Sequence, residues 1–86
     1  MIDFKNATVI DVRTPGEFVM GNVEGSINIP LDTLPNRLEE LKSYKQIVLC
    51  CASGGRSNSA FQFLKEQGFN DVFDGGPWNM VAMQMN

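Results

Sequence analysis

The chain has 86 residues and a net charge of −3, with seven Lys and Arg against ten Asp and Glu. That length makes one small domain, residues 1–86, with a narrow stability margin. The charge balance offers no basic stripe for a nucleic-acid backbone, and no apolar run approaches the roughly 18 residues that span a bilayer.

The first stretch, MIDFKNATVIDV, lacks the charged start and apolar run of a signal peptide, so a cytoplasmic protein is expected. Within it, Ala7 to Val12 is a short β-branched apolar run and predicts a buried strand. TPGEFVM follows. Thr14 is an N-cap candidate, Pro15 suits the first helical position, and Glu17 stands three residues after Thr14. This is a capping box that opens a very short helix, stopped near Gly21. Gly25 to Pro30 predicts a second short strand. In LDTLPNRLEELKSY, Leu34, Leu38 and Leu41 recur at the spacing of one buried helix face. Asp32 or Thr33 would cap that helix, and Pro35 would fit its first turn.

Gln46 to Cys50 predicts a third strand. SNSAFQFLKEQGF predicts a second clear helix, capped by Ser57, with Ala60, Phe61 and Leu64 inward and Gly68 just past its end. Asp71 to Asp74 predicts a fourth strand, ended by Gly75 and Gly76. The tail MVAMQMN reads as a last helical turn or a frayed end, with its methionines as gap-fillers. Strands alternating with helices imply an α/β fold with parallel pairing through crossovers.

Both cysteines lie in IVLCCASGGRSNSA, at the end of the third strand, and such strand ends carry functional sites in parallel sheets. Adjacent Cα atoms sit about 3.8 Å apart, below the roughly 4.4–6.8 Å of ordinary disulfides, so a bridge between them would be strained. The chain has no histidine, which removes Cys-His activation and most metal sites. Another source of activation is nevertheless present. Gly54 and Gly55 permit positive φ and leave backbone N–H groups bare, and successive N–H groups form an anion nest. The following helix start and Arg56 add positive charge. A cysteine in that cradle should fall from about 8.5 towards a pKa of roughly 3.5–7.5. The competing reading makes both cysteines inert core thiols. Two glycines before a helix start argue against it for one of them. Cys50 reads as the last member of an apolar strand covered on both faces, and Cys51 as the first loop residue, level with the cradle.

Two spellings share Arg56. From Cys50 the loop reads C-x5-R-S and resembles that of cysteine-dependent phosphatases. From Cys51 it reads C-x-x-G-x-R-S, carried by Cys51, Gly54, Arg56 and Ser57, and resembles the loop of rhodanese domains. The upstream VIDVRTPGEFVMGNVEGSINIP is similar to the rhodanese hallmark, and QGFNDVFDGGPW to the family's ending. Rhodanese loops count six residues from cysteine to arginine, as Cys51 to Arg56 does, and phosphatase loops count seven. Phosphatases usually carry histidine before the cysteine, where Leu49 stands. The rhodanese register is therefore preferred.

The resemblance implies a compact, mostly parallel, four- to five-stranded sheet flanked by helices, in a minimal version. MIDFKN would supply only a vestige of the usual N-terminal edge strand, and Asn22 replaces a commoner histidine. It also implies a sulfurtransferase. The Cys51 thiolate would take sulfur from thiosulfate or a similar donor. The persulfide would be held by N–H groups of Ala52, Ser53, Gly54, Gly55, Arg56 and Ser57. A thiophilic acceptor such as cyanide, a small thiol or a protein thiol would then receive the sulfur. Arg56 would orient the anionic donor, and Ser57 would be an N-cap. Asp11, Arg13 and Glu17 would form a structural ion-pair and turn system below the site, with Trp78 at the core or rim. No cofactor or metal is implied, and no nucleic acid or membrane partner. The alternative is a sulfur-carrier or redox-sensor module that works with a protein partner.

Overall fold

The two most apolar runs of the chain form the centre of the sheet. They are β1 (Thr8–Asp11) and β3 (Ile47–Cys51), paired in parallel from Thr8 opposite Ile47 to Asp11 opposite Cys50 in this computed structural model, which describes residues 2–85. β2 (Ile27–Asn28) lies outside β1 and β4 (Val72–Pro77) outside β3, giving the order β2-β1-β3-β4 with every pairing parallel. Parallel strands need crossovers, and helices supply them: α1 (Pro15–Val19), α2 (Leu38–Lys42) and α3 (Gly55–Glu66), with α4 (Trp78–Gln84) after the last strand.

Layers on both sides of the sheet explain why β3 is apolar at every position. Leu49 and Cys51 face one layer, with Ile10, Leu34, Leu41, Ala60 and Leu64. Val48 and Cys50 face the other, with Val9, Val23 and Val81. Side chains alternate along a strand, so two adjacent cysteines enter different layers.

Several expectations are corrected. The helix expected over the leucine repeat is two pieces: a 3-10 helix over Leu31–Asn36 and then α2, joined at Arg37 with φ −120°. Pro35 has no N–H to give to an α-helical ladder, so the chain winds tighter there and restarts after it. Neither Asp32 nor Thr33 caps a helix; the Thr33 hydroxyl donates back to the Pro30 carbonyl at 2.8 Å. Leu34 and Leu41 are still fully buried. β2 is shorter than Gly25–Pro30, and the Asn28 side-chain amide extends its hold by donating to the carbonyls of Asp11 and Arg13 at 3.0 and 2.9 Å.

β4 does not stop at Asp74 but runs through both glycines to Pro77, with a register shift opposite Leu49 and Cys50. A Cβ on Gly75 would lie 2.7 Å from Val81 and 2.9 Å from the Leu49 carbonyl, so only glycine lets the strand continue this close. Residues 2–7 form a turn, with the Ala7 N–H on the Asp3 carbonyl at 2.8 Å; they add no edge strand, and the described residues hold four strands. The tail is a helix rather than a frayed end, and Met80 and Met83 on it are 50 and 69 % exposed, so they fill no gap. Asn86 lies outside the described residues.

Candidate active site

β3 delivers Cys51 at its last strand position, so Cys51 belongs to the sheet and not, as expected, to the loop. Its side chain is fully buried beneath the turn Ala52–Gly54. Gly54 stands at φ 105°, a left-handed conformation that glycine takes without a Cβ clash. This single residue turns the chain back so that α3 starts at once with Gly55. The positive φ expected at both glycines occurs at Gly54 alone of the two.

The turn aims donors at sulfur. The Gly54 N–H donates to the Cys51 Sγ at 3.0 Å. Burial opposes ionisation of the Cys51 thiol, but the N–H and hydroxyl of Ser57, with the N–H groups of Gly54 and Ser53, outweigh it and draw its pKa below the ordinary value. Cys50 goes the other way. Burial and then the neighbouring Asp11 carboxylate push its thiol up to about 12. A phosphatase-type nucleophile at Cys50 would therefore be a protonated thiol in the wrong layer.

Ser57 is fully buried and is the third residue of α3, not its N-cap, because the Gly54 turn starts the helix three residues earlier than expected. Its hydroxyl lies 3.0 Å from the Gly54 carbonyl and 2.7 Å from Asp74 Oδ1. Asp74 also accepts from the Gly76 N–H at 3.0 Å and from Asn58 Nδ2 at 3.3 Å. Sequence reasoning missed Asp74. The signal was an aspartate just before two glycines, the composition of a turn in which the side chain binds its own backbone two residues on.

Arg56 forks onto Glu17, with N–H groups 2.6 and 2.9 Å from the two carboxylate oxygens. Glu17 is also the acceptor of its capping box, taking the N–H and hydroxyl of Thr14 at 3.1 Å each. Arg56 first and Thr14 second hold the Glu17 pKa down at about 2. The Glu17 carboxylate thus joins the loop, while its backbone carbonyl still accepts from Arg13 Nη1 at 3.4 Å and keeps it in the Asp11–Arg13 system expected from the sequence. That pair is buried: Arg13 holds Asp11 Oδ2 at 2.7 Å, donates to the Gly21 carbonyl at 2.7 Å, and stacks 4.9 Å from the Trp78 ring centre. Trp78 is half-buried against the second layer, and a Cβ on Gly21 would be 3.1 Å from its ring. Asn22 donates to the Phe18 carbonyl at 2.9 Å and closes α1. Of the remaining loop residues, Ala52, Ser53 and Gly55 are exposed.

Among the described residues, no three His, Cys, Asp or Glu converge to hold a metal ion, and no helix is long and apolar enough to cross a membrane. The family model for the rhodanese-like domain matches residues 1–76. The chain belongs to the rhodanese-like domain family.

Similar proteins place this rhodanese-like domain in different settings. A sulfurtransferase from Allochromatium vinosum is 30% identical over 74 residues, covering 86% of this chain and 69% of that protein. A tRNA uridine(34) hydroxylase from Salmonella paratyphi B is 37% identical over 79 residues, covering 85% of this chain but 23% of that protein. Among solved structures, a rhodanese-related protein from Thermoplasma volcanium superposes with a TM-score of 0.81 at 33% identity, covering 94% of this chain and 80% of that one. A rhodanese with anions from E. coli gives a TM-score of 0.81 at 31% identity, covering 88% of this chain and 92% of that one.

Proposed function

We propose that this rhodanese-like domain is a sulfurtransferase that carries sulfane sulfur as a persulfide on Cys51. The observation that carries the reading is the contrast between two adjacent thiols. Cys51 sits under converging donors with a lowered pKa, and Cys50 is pushed up to about 12. The thiolate is the nucleophile, so this contrast selects one sulfur for chemistry. The sulfurtransferase from Allochromatium vinosum, matched over most of this chain, supports the same reaction class.

In the first step the Cys51 thiolate attacks the outer sulfur of thiosulfate or a similar donor. The new bond joins Cys51 Sγ to that sulfur, the donor S–S bond breaks, and sulfite leaves with its electron pair. The persulfide anion takes up the N–H groups of Ser53, Gly54 and Ser57 that face the thiolate. An acceptor thiolate or cyanide then attacks the terminal sulfur and returns the Cys51 thiolate. Cys51 is fully buried, so its cover must move before a donor reaches the sulfur. Arg56, half-buried at the rim of the loop, is paired with Glu17, so an incoming anion meets an ion pair and not a free cation.

The test is a mass measurement after incubation with thiosulfate or an alkyl persulfide. The wild type and Cys50→Ala should gain one sulfur, and Cys51→Ser should gain none. Loss of the gain in Cys50→Ala with retention in Cys51→Ser would overturn the assignment. A second reading, a sulfur-carrier or redox-sensor module serving a protein partner, draws on relatives in which the matched segment is about a quarter of a longer chain. Loading without turnover by small acceptors would favour it.

A further inference from the structure

Arg56 is the one cation of the loop Cys51 to Ser57, and its guanidinium is committed to Glu17 by two hydrogen bonds of 2.6 and 2.9 Å. The two side chains are 37 % exposed each, and Cys51 is 0 % exposed. The ion pair is thus open to solvent where the sulfur is not, and Arg56 lies close enough to Cys51 to feel its charge. Glu17 cannot swing away freely, because the same carboxylate is fixed by the N–H and hydroxyl of Thr14 in the capping box of α1. We infer that Glu17 is a donor-selecting residue: by placing its negative charge beside Arg56 it makes the rim a neutral pair near an anionic thiolate, and so favours alkyl persulfides over doubly charged thiosulfate. This rests on the sulfur-transfer reading of Cys51.

The charges decide the direction. With Glu17, Arg56, Asp74 and the Cys51 thiolate together, the site carries two net negative charges; without the Glu17 charge it carries one. Repulsion by a unit charge scales with the charge of the incoming ion, so a dianion is disfavoured more than a monoanion. Both reactions balance. Thiosulfate transfers its outer sulfur and releases sulfite. An alkyl persulfide anion transfers its terminal sulfur and releases the alkyl thiolate.

The experiment measures kcat/KM for Cys51 loading and turnover with thiosulfate and with 2-hydroxyethyl persulfide, at low and high salt. The variants are Glu17→Gln and Glu17→Asp. Gln preserves the capping box and removes the charge. Asp keeps the charge and is too short to hold the fork. Thermal unfolding checks that both variants are folded. In Glu17→Gln the thiosulfate-to-persulfide ratio should rise roughly fivefold at low salt, the effect of one nearby unit charge in water, and the rise should shrink in 1 M salt. In Glu17→Asp the ratio should stay near that of the wild type. An unchanged or lower ratio in Glu17→Gln, or an equal rise in Glu17→Asp, would overturn the inference, the latter by showing that geometry and not charge is at work. If neither donor loads wild-type Cys51, the sulfur-transfer reading itself fails, and that outcome is separate from any change in ratio.

Discussion

The amide of Gly54 donates to the sulfur of Cys51 at 3.0 Å from a backbone held at φ 105°. The conformation matters more than the space: a Cβ on Gly54 would meet only Gly76 Cα at 3.9 Å and Pro77 Cδ at 4.0 Å. Gly54→Ala should therefore fit but remain strained, losing about 1–2 kcal/mol in urea unfolding. It should also turn the amide off the sulfur and raise the Cys51 thiol pKa, read from the pH dependence of iodoacetamide alkylation. An unchanged profile would show that the Gly54 N–H does not hold the thiolate.

Alkylation also separates the two cysteines. At neutral pH the folded chain should take one label, on Cys51, and Cys50 should react only in denaturant, given a folded thiol pushed up to about 12 in a sealed layer. Peptide mapping after a timed pulse reads this directly. Native labelling of Cys50 at a rate equal to that of Cys51 would remove the contrast on which the proposed function rests.

Asp74 competes with sulfur for one proton. The Ser57 hydroxyl has a single hydrogen and lies 2.7 Å from Asp74 Oδ1, and it also reaches the Cys51 thiolate. Asp74→Asn removes the stronger acceptor and a negative charge beside the loop. The Cys51 pKa should fall further, so the variant should alkylate faster than wild type at pH 6 and equally fast at pH 10. Slower labelling at pH 6 would mean that Asp74 serves only to orient Ser57.

Acid should expose the Glu17–Arg56 pair. Glu17 has a folded pKa of about 2 against an ordinary 4.5, so between those values the unfolded chain binds a proton that the folded chain refuses. The sign follows: this contribution is complete above the unfolded pKa and fades as pH falls towards 2. Glu17→Gln lacks it at every pH. The Tm difference between wild type and Glu17→Gln should be largest at pH 6–7 and shrink by pH 3, most clearly at low salt. A difference that is flat with pH would assign the stability of the pair to hydrogen bonds and not to charge.

Local signals in the sequence translated well into structure. The Thr14–Glu17 capping box is present with both of its hydrogen bonds, and Gly68 ends α3 at φ 92°. Cys50 and Cys51 read as strand end and first loop residue, yet both belong to β3, and it is the one-residue offset that sends them into different layers. Glu17 and Asp74 were harder. Each was read through its neighbours in the chain, yet their partners Arg56 and Ser57 lie 39 and 17 residues away. A side chain that satisfies one local motif shows no sign in sequence of a second, distant partner. Pro35 was ambiguous for another reason. The same residue starts an α-helix or tightens a 3-10 turn, and the leucine spacing survives either way.

The order of strands also bears on synthesis. α3 is anchored at its start from two directions, by Glu17 on α1 and by Asp74 on β4. A chain emerging from the ribosome presents Glu17, Cys51 and Arg56 well before Asp74 and the Gly76–Pro77 segment that pairs with Cys50 and Cys51. Until that segment emerges, the cradle lacks one wall. The donors that draw down the Cys51 thiol all lie between Ser53 and Ser57, so until then they stand on a loop with one side open.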